Sequence, residues 1–276
     1  MITIGRRHRL TARLHLALLL FAASLVACDS LGTEPDPDWT LAWSDEFDGP
    51  AGQLPNPANW VFDVGTDWGN RQLEFDTDRP DNVSLDGDGN LAITARRESY
   101  GGGAYTSGRI KTQGLFEQAY GRFEARIRLP TGQGIWPAFW LLGSNFATVG
   151  WPECGEIDVM EYRGQEPSIV HATVHGPGYS AGGGLTARHL LTGDRFDTGF
   201  HEFAIEWTDG RIVWFVDGQR YHAVDRDDPS GRWVFDHPFF ILLNVAVGGN
   251  FVGPPNESTR FPQSMLVDWV RVYRAE

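Results

Sequence analysis

Residues 151–162 read Trp-Pro-Glu-Cys-Gly-Glu-Ile-Asp-Val-Met-Glu-Tyr and place three carboxylates in otherwise β-favouring sequence. Side chains of an extended chain alternate between two faces, so Glu156 and Asp158 share one face while Glu161 falls on the other. A bare carboxylate buried on a core face is costly. One extra residue, inserted as a β-bulge at Val159 and Met160, returns Glu161 to the face of Glu156. The stretch therefore predicts a bulged strand with three acids on one face.

Two glutamates on one face, with an aspartate between them, fit glycoside hydrolysis with retention of configuration. One carboxylate attacks the anomeric carbon and the other protonates the leaving oxygen, at a separation of about 5–5.5 Å. Asp158 can hydrogen-bond one glutamate and keep the pKa values of Glu156 and Glu161 apart. In an extended strand their backbone positions lie more than about 10 Å apart, so strand curvature and side-chain lean must close the gap. The alternative is a surface strand with a solvated acidic edge.

Short alternating segments recur from Trp39 onward, with turn residues between them. They are residues 91–95, 121–129, 169–175, 201–207, 211–216, 239–247 and 266–273. Asp217-Gly218 is a strong hairpin signal. The chain has 33 Gly and 16 Pro, and no segment after the N-terminal region shows a sustained 3.6-residue apolar period. These features predict an all-β sandwich of antiparallel sheets.

The N-terminal 27 residues have the pattern of an export signal. Four arginines precede an apolar run, residues 16–26, that is too short to span a bilayer comfortably. Leu-Val-Ala-Cys28 resembles a bacterial lipobox, so we expect residues 1–27 to be a lipoprotein-type signal peptide and Cys28 to be lipidated. Residues 28–38 read as a polar tether and residues 39–276 as the catalytic domain. An ordinary secretory signal with an incidental Cys28 is the alternative.

The charge of the chain limits its partners. The net charge is −13, and loss of the four arginines in residues 1–27 makes it −17. A chain this acidic is a poor match for nucleic acid or an anionic membrane surface. A sulfated or uronic polymer would be repelled unless Arg or Lys met it locally, so a neutral glycan is favoured. With Cys28 lipidated, Cys154 has no disulfide partner, and we interpret it as a small packing residue.

Residues 134–142 read Gly-Ile-Trp-Pro-Ala-Phe-Trp-Leu-Leu. Under alternation, Trp136 and Trp140 share one face, with the small Ala138 between them. Sugar rings stack their C–H faces on aromatic rings, so the two indoles predict a sugar platform. Trp151 is expected beside the acids on the following strand. The alternative is that these tryptophans belong to the core.

Residues 134–142 and 151–162 resemble the signature of glycoside hydrolase family 16, in its bacterial laminarinase (endo-β-1,3-glucanase) branch. The resemblance extends over residues 39–273. It implies a β-jelly roll of two curved antiparallel sheets whose concave face forms a glycan-binding cleft. It also implies that Glu156 is the nucleophile, Glu161 the acid/base and Asp158 the assisting residue, and it implies no cofactor for the chemistry.

Residues 67–75 resemble the family segment that lines the non-reducing side of the cleft. That segment usually reads Trp-Gly-Asn-x-Glu-x-Gln, and here the Glu and Gln types are exchanged as Gln72 and Glu74. Asn70 is carried over as a substrate-binding residue, with an Asx turn as its alternative role. The exchange leaves the hydrogen bonds of Gln72 and Glu74 open.

Three more positions resemble substrate-binding residues of the family. Arg109 matches an arginine that reaches the sugar, with a surface ion pair as the alternative. His175 matches a histidine near the acid/base, and it has no partner at metal-ligand spacing. Asn250, with its neighbour Phe251, matches a loop at the cleft edge.

The resemblance further implies a structural calcium ion on the convex face. Glu46, the backbone of Gly89 and Asp268 match the positions that bind it in many relatives, and hard oxygen ligands suit Ca²⁺.

We therefore expect an exported, lipid-anchored, monomeric endo-β-1,3-glucanase. Its partner is a polysaccharide, with no nucleic acid and with membrane contact only through the anchor at Cys28. The alternatives are action on mixed-linkage β-glucan, agarose or carrageenan, transglycosylation, or a non-catalytic β-glucan-binding protein. The three carboxylates argue against the last of these.

Overall fold

The computed structural model describes residues 1, 38–228 and 231–276. Residues 2–27 of the predicted signal peptide, Cys28 and all but the last residue of the tether lie outside this range. The described residues are built almost wholly from β-strands, as the alternating segments predicted. Helical structure among them is confined to α1 (Phe146–Val149) and a 3₁₀ turn (Ala181–Gly183). Within the described ranges, no helix has the length and apolar character needed to cross a membrane.

Seventeen strands are present in the described part of the chain. They are β1 (Trp39–Asp45), β2 (Val61–Phe62), β3 (Glu74–Asp76), β4 (Val83–Leu85), β5 (Leu91–Ala95), β6 (Tyr105–Ser107), β7 (Arg109–Lys111), β8 (Gly121–Arg128), β9 (Ile135–Gly143), β10 (Glu156–Tyr162), β11 (Ile169–His175), β12 (Leu185–Leu190), β13 (His201–Thr208), β14 (Arg211–Val216), β15 (Gln219–Asp225), β16 (Phe239–Val247) and β17 (Gln263–Ala275).

Two large antiparallel sheets pack against each other. The first has eight strands in the order β15-β14-β13-β8-β17-β5-β4, with β1 also paired to β17. The second has seven strands in the order β12-β11-β10-β9-β16-β7-β2. A small parallel pair, β3 and β6, forms a third sheet, whose Ser107 hydroxyl donates to the carbonyl of Val245 on β16. This arrangement is the predicted all-β sandwich.

One hydrophobic core lies between the two sheets. The first sheet contributes residues such as Phe123 and Ile205, and the second contributes Phe139, Ile157 and Leu243, all fully buried. Alternation along each strand sends these side chains inward and leaves their neighbours on the opposite face. Burial of apolar area on this scale is the main stabilising contribution to the fold.

The predicted bulge is present in β10, which lies between β9 and β11. Toward β9 the register shifts between Asp158 and Met160, and toward β11 it shifts between Asp158 and Glu161. Val159 and Met160 therefore occupy the irregular positions, and both side chains are buried in the core. The prediction from parity is confirmed: the extra residue changes the phase and turns Glu161 back to the face of Asp158.

The first and last strands of the sandwich are neighbours. Trp39 at the start of β1 pairs with Ala275 at the end of β17. The 13-residue β17 also pairs with β5 and β8, so the last strand lies inside its sheet rather than at an edge.

Candidate active site

The face of the seven-stranded sheet that points away from the core is called the outer face here. Glu156, Asp158 and Glu161 on β10 lie on it, because Ile157 and Met160 point into the core. Asp158 is buried, whereas the side chains of both glutamates keep some solvent exposure. The outer face therefore carries the three acids that the sequence predicted, at the middle of the sheet.

The turn before β10 delivers Glu156 to this face. Gly155 has φ 77°, and a Cβ there would lie 2.9 Å from the ring of Phe239, so a larger residue would be strained and crowded. Cys154 beside it is fully buried, and burial raises the pKa of its thiol to about 11. Such a thiol is inert, which agrees with its interpretation as a packing residue.

Burial raises the pKa of each of the three carboxyls to about 8. The charge of Asp158 contributes to this rise at Glu156 and Glu161, while a hydrogen bond with Glu156 opposes the rise at Asp158. Three acids that interact in this way share their protons as a group. The cluster can therefore hold a protonated and an ionised carboxyl together at neutral pH, which a retaining hydrolase requires.

Trp136 holds the carboxylate of Glu161. Its indole N–H donates to Glu161 Oε1 at 3.0 Å. The Phe251 ring packs on the indole with 5.1 Å between centroids, and the Arg163 guanidinium lies 4.1 Å from the centre of the Phe251 ring. Trp136 is only 8% exposed, so it offers an N–H edge to the acid more than an open face to a sugar. Trp136 and Trp140 do share one face, as predicted. The ring of Trp136, however, has little open surface on which a sugar could stack.

His175 lies beside the nucleophile side of the cluster. Its Nε2 is 3.4 Å from Asp158 Oδ2 and 3.8 Å from Glu156 Oε1. β11 pairs His175 with Glu156 and places His171 opposite Glu161, and the charge of His175 lowers the pKa of both Glu156 and Glu161. His175 can therefore donate to Glu156 or Asp158 and stabilise their charge.

Trp151 flanks the cluster from the turn and not from a strand, which corrects the expectation from sequence. It is 41% exposed, and its ring centroid lies 6.0 Å from that of His175. Of the candidate aromatic residues, Trp151 has the ring face most open to a sugar.

The same cluster is also the place where the described residues gather potential metal ligands. Glu156, Asp158 and His175 offer one ligand atom each, and these atoms lie within 4.8 Å of one another. Retaining hydrolysis uses such carboxylates directly on the sugar, so the chemistry of the site needs no ion.

Trp140 and Arg109 form a second part of the outer face. The Trp140 indole N–H donates to Asn244 Oδ1 at 2.8 Å. The Arg109 guanidinium lies 4.9 Å from the ring centres of both Trp140 and Trp68, and its Nε donates to Asp63 Oδ2 at 2.9 Å. Arg109 thus makes the ion pair named as its alternative role and also braces two indoles. Its contact with a sugar stays a prediction.

Asn244 and Trp68 were missed as site residues. A signal for Asn244 was available, because it is the one polar residue of β16 and alternation places it with the outward-facing positions of that strand. Trp68 belongs to residues 67–75, which resemble a cleft-lining segment of the family, but its contact with Arg109 joins a loop to a distant strand and had no signal in the sequence.

The exchanged Gln72 and Glu74 have distinct positions. Glu74 is buried, and its Oε2 accepts the Val247 main-chain N–H at 2.7 Å. Asp76 is buried beside it and accepts the Trp68 indole N–H at 2.8 Å. Burial raises the pKa of Glu74 to about 8 and that of Asp76 to about 7. Glu74 is therefore a main-chain anchor, while Gln72 forms a β-bridge with Gly248.

Asn70 and Asn250 lie together at one end of the outer face. The Asn250 main-chain N–H donates to the carbonyl oxygen of Asn70 at 2.9 Å, and both residues are exposed. Asn250 also lines a shallow pocket with Arg71 and Pro254. Both asparagines are exposed to solvent, and their contact with a substrate stays a prediction.

The predicted calcium ligands come near one another on the first sheet, but their carboxylates have other partners. Glu46 accepts two hydrogen bonds from Arg271, at 2.8 and 3.0 Å, and Asp268 pairs with Arg126. Gly89 lies in the turn before β5, whose Leu91 pairs with Val267. Because each carboxylate is neutralised by a guanidinium, the donors as arranged do not fit a Ca²⁺ ion.

Cleavage of a glycosidic bond needs two acids in different protonation states beside groups that can hold a sugar. The acids on the outer face, with indole rings around them, define the chain as a glycoside hydrolase. Residues 67–271 match the model of glycosyl hydrolases family 16. The chain belongs to that family, as the resemblance implied.

Similarity to known proteins extends over most of the chain. It is 42% identical over 264 residues to the beta-glucanase of Rhodothermus marinus, with 91% of each chain covered. The solved laminarinase catalytic domain from Thermotoga maritima MSB8 is 46% identical with a TM-score of 0.82, covering 87% of this chain and 99% of that one. The endo-beta-1,3-glucanase from Pyrococcus furiosus is 45% identical with a TM-score of 0.82, covering 87% and 96%. These likenesses confirm the predicted jelly roll.

Proposed function

We propose that the protein is a retaining endo-β-1,3-glucanase that hydrolyses laminarin-type glucan by double displacement. The observation that carries the proposal is the bulge in β10, which brings Glu156, Asp158 and Glu161 to one face and gives them shared protons. The names of the relatives, laminarinase and endo-beta-1,3-glucanase, support the substrate class. Retention of all three carboxylates argues against a protein that only binds glucan.

In the first step, a carboxylate oxygen of Glu156 forms a bond to the anomeric carbon as the glycosidic C–O bond breaks. Glu161 gives its proton to the departing oxygen, so the leaving sugar chain departs as an alcohol. The indole N–H of Trp136 stabilises the Glu161 carboxylate that this transfer creates. His175, near Glu156 and Asp158, is placed to stabilise the ionised nucleophile.

In the second step, water attacks the anomeric carbon and the bond to Glu156 breaks. Glu161 now acts as base and takes a proton from the water, which restores both residues to their starting states. The net change is the addition of one water molecule across the glycosidic bond. Two inversions at one carbon leave its configuration unchanged.

Product analysis on laminarin, lichenan, agarose and carrageenan side by side tests the substrate class. We expect rapid release of oligosaccharides from laminarin, with the β-anomer formed first when the reaction is followed by NMR. Preferential cleavage of agarose or carrageenan would replace the proposed specificity, and first release of the α-anomer would contradict the retaining mechanism. Transfer to added sugar acceptors measures the share of transglycosylation.

We also propose that the protein is exported and held by a lipid on Cys28 as a monomer. Support comes from the sequence pattern of residues 1–28 and from the short tether after it. Labelling with a radioactive fatty acid, compared between the natural chain and Cys28→Ser, tests the anchor. Loss of label and release of the variant from membranes are expected.

A structural calcium ion near Glu46, Gly89 and Asp268 is supported by the family resemblance and opposed by the arginines on both carboxylates. Binding to the folded state alone would raise the melting temperature in millimolar Ca²⁺ relative to EDTA. An equal melting temperature in both would remove calcium from the proposal.

A further inference from the structure

Three arginines line one groove near the loop that precedes β17. Arg96, Arg97 and Arg260 form its sides together with Phe261, and Glu257 is the one acid among the lining residues. Nine other arginines of the described chain pair with carboxylates. Within the described ranges, the three in the groove make no such pair. A ligand at these guanidinium groups therefore displaces no ion-pair partner, although the charge of Arg96 also lowers the pKa of Glu98.

Aromatic rings hold one of these guanidinium groups in place. The Arg97 guanidinium lies 5.2 Å from the centre of the Phe261 ring and 5.8 Å from that of Tyr105. The two rings pack on each other with 5.2 Å between centroids. A stacked guanidinium loses less freedom on binding and keeps its N–H groups directed outward.

The loop that carries Arg260 is fixed by its own hydrogen bonds. Thr259 is buried, and its hydroxyl donates to the carbonyl of Gln133 at 2.7 Å. The main-chain N–H of Asn256 donates to the same hydroxyl at 3.1 Å, and the N–H of Ser258 donates to Asn256 Oδ1 at 2.9 Å. The groove is thus largely formed before any ligand arrives, which lowers the cost of binding.

One loop links the groove with the pocket at the end of the predicted glycan cleft. The loop of residues 252–262 forms a wall of the groove and also, through Pro254, lines the pocket of Arg71 and Asn250. Arg71 likewise makes no ion pair within the described part of the chain. Unpaired guanidinium groups therefore occur on both sides of this loop, beside the residues expected to meet the non-reducing side of the substrate.

We propose that the groove of Arg96, Arg97 and Arg260 binds a carboxylate or sulfate group carried by the glucan chain that occupies the active site. This inference rests on the proposed function. A chain of net charge −13 repels anionic polymers at long range, so local guanidinium groups are needed to admit a substituted glucan. Guanidinium forks match both carboxylate and sulfate oxygens.

A membrane surface is a less suitable ligand for this groove. The groove lies at the Gln263 end of β17, whereas Trp39, which follows the predicted tether, pairs with Ala275 at the other end. Thirteen residues of strand separate those ends by about 40 Å. The tether side and the arginine groove are therefore at opposite ends of the strand.

The test compares laminarin with carboxymethylated and with sulfated laminarin on the full chain. The triple variant Arg96→Gln, Arg97→Gln and Arg260→Gln is matched by a control triple on the first sheet, Arg128→Gln, Arg220→Gln and Arg274→Gln. We expect the groove variant to raise KM for at least one anionic polymer by about tenfold or more, from lost charge-assisted contacts. KM for laminarin and the melting temperature should match those of the control variant.

Salt supplies a second readout, because added NaCl weakens exposed charge interactions. The difference between the wild type and the groove variant on the anionic polymers should shrink as NaCl rises. Equal losses in the two triple variants, an equal loss on laminarin, or binding of anionic vesicles without binding of the anionic polymers would overturn the inference. If the wild type fails to cleave laminarin, the proposed function fails, and dissociation constants of the three polymers still decide the groove.

Discussion

Glu156 and Glu161 on the outer face differ from Glu74 and Asp76 on β3 in what surrounds their carboxylates. Burial nevertheless raises the pKa of all four carboxyls to about 7 or 8. The first pair meets side chains that face the opening of the site. Glu74 instead accepts a main-chain N–H. Similarly raised pKa values therefore occur both at exposed catalytic acids and at acids buried among structural hydrogen bonds.

The difference shows that a raised pKa reports burial and not a catalytic role. The side chain of Glu156 is 19% exposed to solvent, whereas the whole residue Glu74 is only 2% exposed. An acid without access cannot reach an anomeric carbon, whatever its proton affinity. Access and the kind of partner separate the catalytic pair from the structural pair.

The largest expected effect is the loss of the nucleophile. Glu156→Ala should lower kcat/KM on laminarin by about 10⁴-fold or more, because no other group can form the covalent intermediate. Added azide should restore part of the turnover, with inverted product. Glu74→Gln serves as the contrasting variant and should keep most of its activity. Equal losses of kcat/KM in Glu156→Ala and Glu74→Gln would show that the catalytic and the structural acids do not differ in role.

Deletion of Met160 tests how the catalytic pair reaches the outer face. The shortened Glu-Ile-Asp-Val-Glu has its three acids on one face without a bulge, so we expect measurable activity after a loss of about 10²-fold from imperfect placement. Deletion of Asp158 also shortens the strand but removes the acid that interacts with both glutamates. It should lose far more. The reverse ranking would contradict the bulge as the device that positions Glu161.

Asp158→Asn tests the electrostatic part of the comparison. The Asp158 charge raises the pKa of both Glu156 and Glu161, so its removal lowers both values. Glu156 then ionises at lower pH and Glu161 loses its proton at lower pH. Both limbs of the kcat/KM profile should move to lower pH in the variant. A profile that only decreases in height would show that Asp158 acts through position alone.

The smallest effect is expected for the stability of Glu74→Gln. Burial raises the pKa of Glu74 from 4.5 to about 8, so the folded state holds this proton more tightly than the unfolded chain. Its stabilising effect is complete below the unfolded pKa and is lost as pH rises toward 8. Glutamine has no proton to lose and can still accept the Val247 N–H. Above pH 8 the variant should be more stable than the wild type by about 1–4 kcal/mol.

Urea unfolding at pH 5 and at pH 8.5 measures this difference, with Asp76→Asn as a companion variant. The advantage of Glu74→Gln should be small at pH 5 and larger at pH 8.5. An advantage that does not change with pH would assign the effect to packing.

Alternation within a strand, together with one bulge inferred from the cost of burying Glu161, was enough to predict which face each acid occupies, because both arguments depend only on neighbours in sequence. The same rule placed Trp136 and Trp140 together. It gave no information on partners across strands, since those depend on register set by the whole sheet. The position of His175 beside Glu156, the bond from Trp136 to Glu161 and the arginines on Glu46 and Asp268 all arise from such pairings.

The position of β17 has a consequence for how the molecule is made. This strand follows all the others in the described part of the chain, yet it joins β1, β5 and β8 within one sheet. Until residues 263–275 are available, those three strands have no shared neighbour and expose unpaired edges. The sandwich can therefore close only after residues 263–275 have been synthesised, and contacts so distant in sequence make closure slow. A chain that ends before Gln263 should aggregate instead of forming a smaller stable domain.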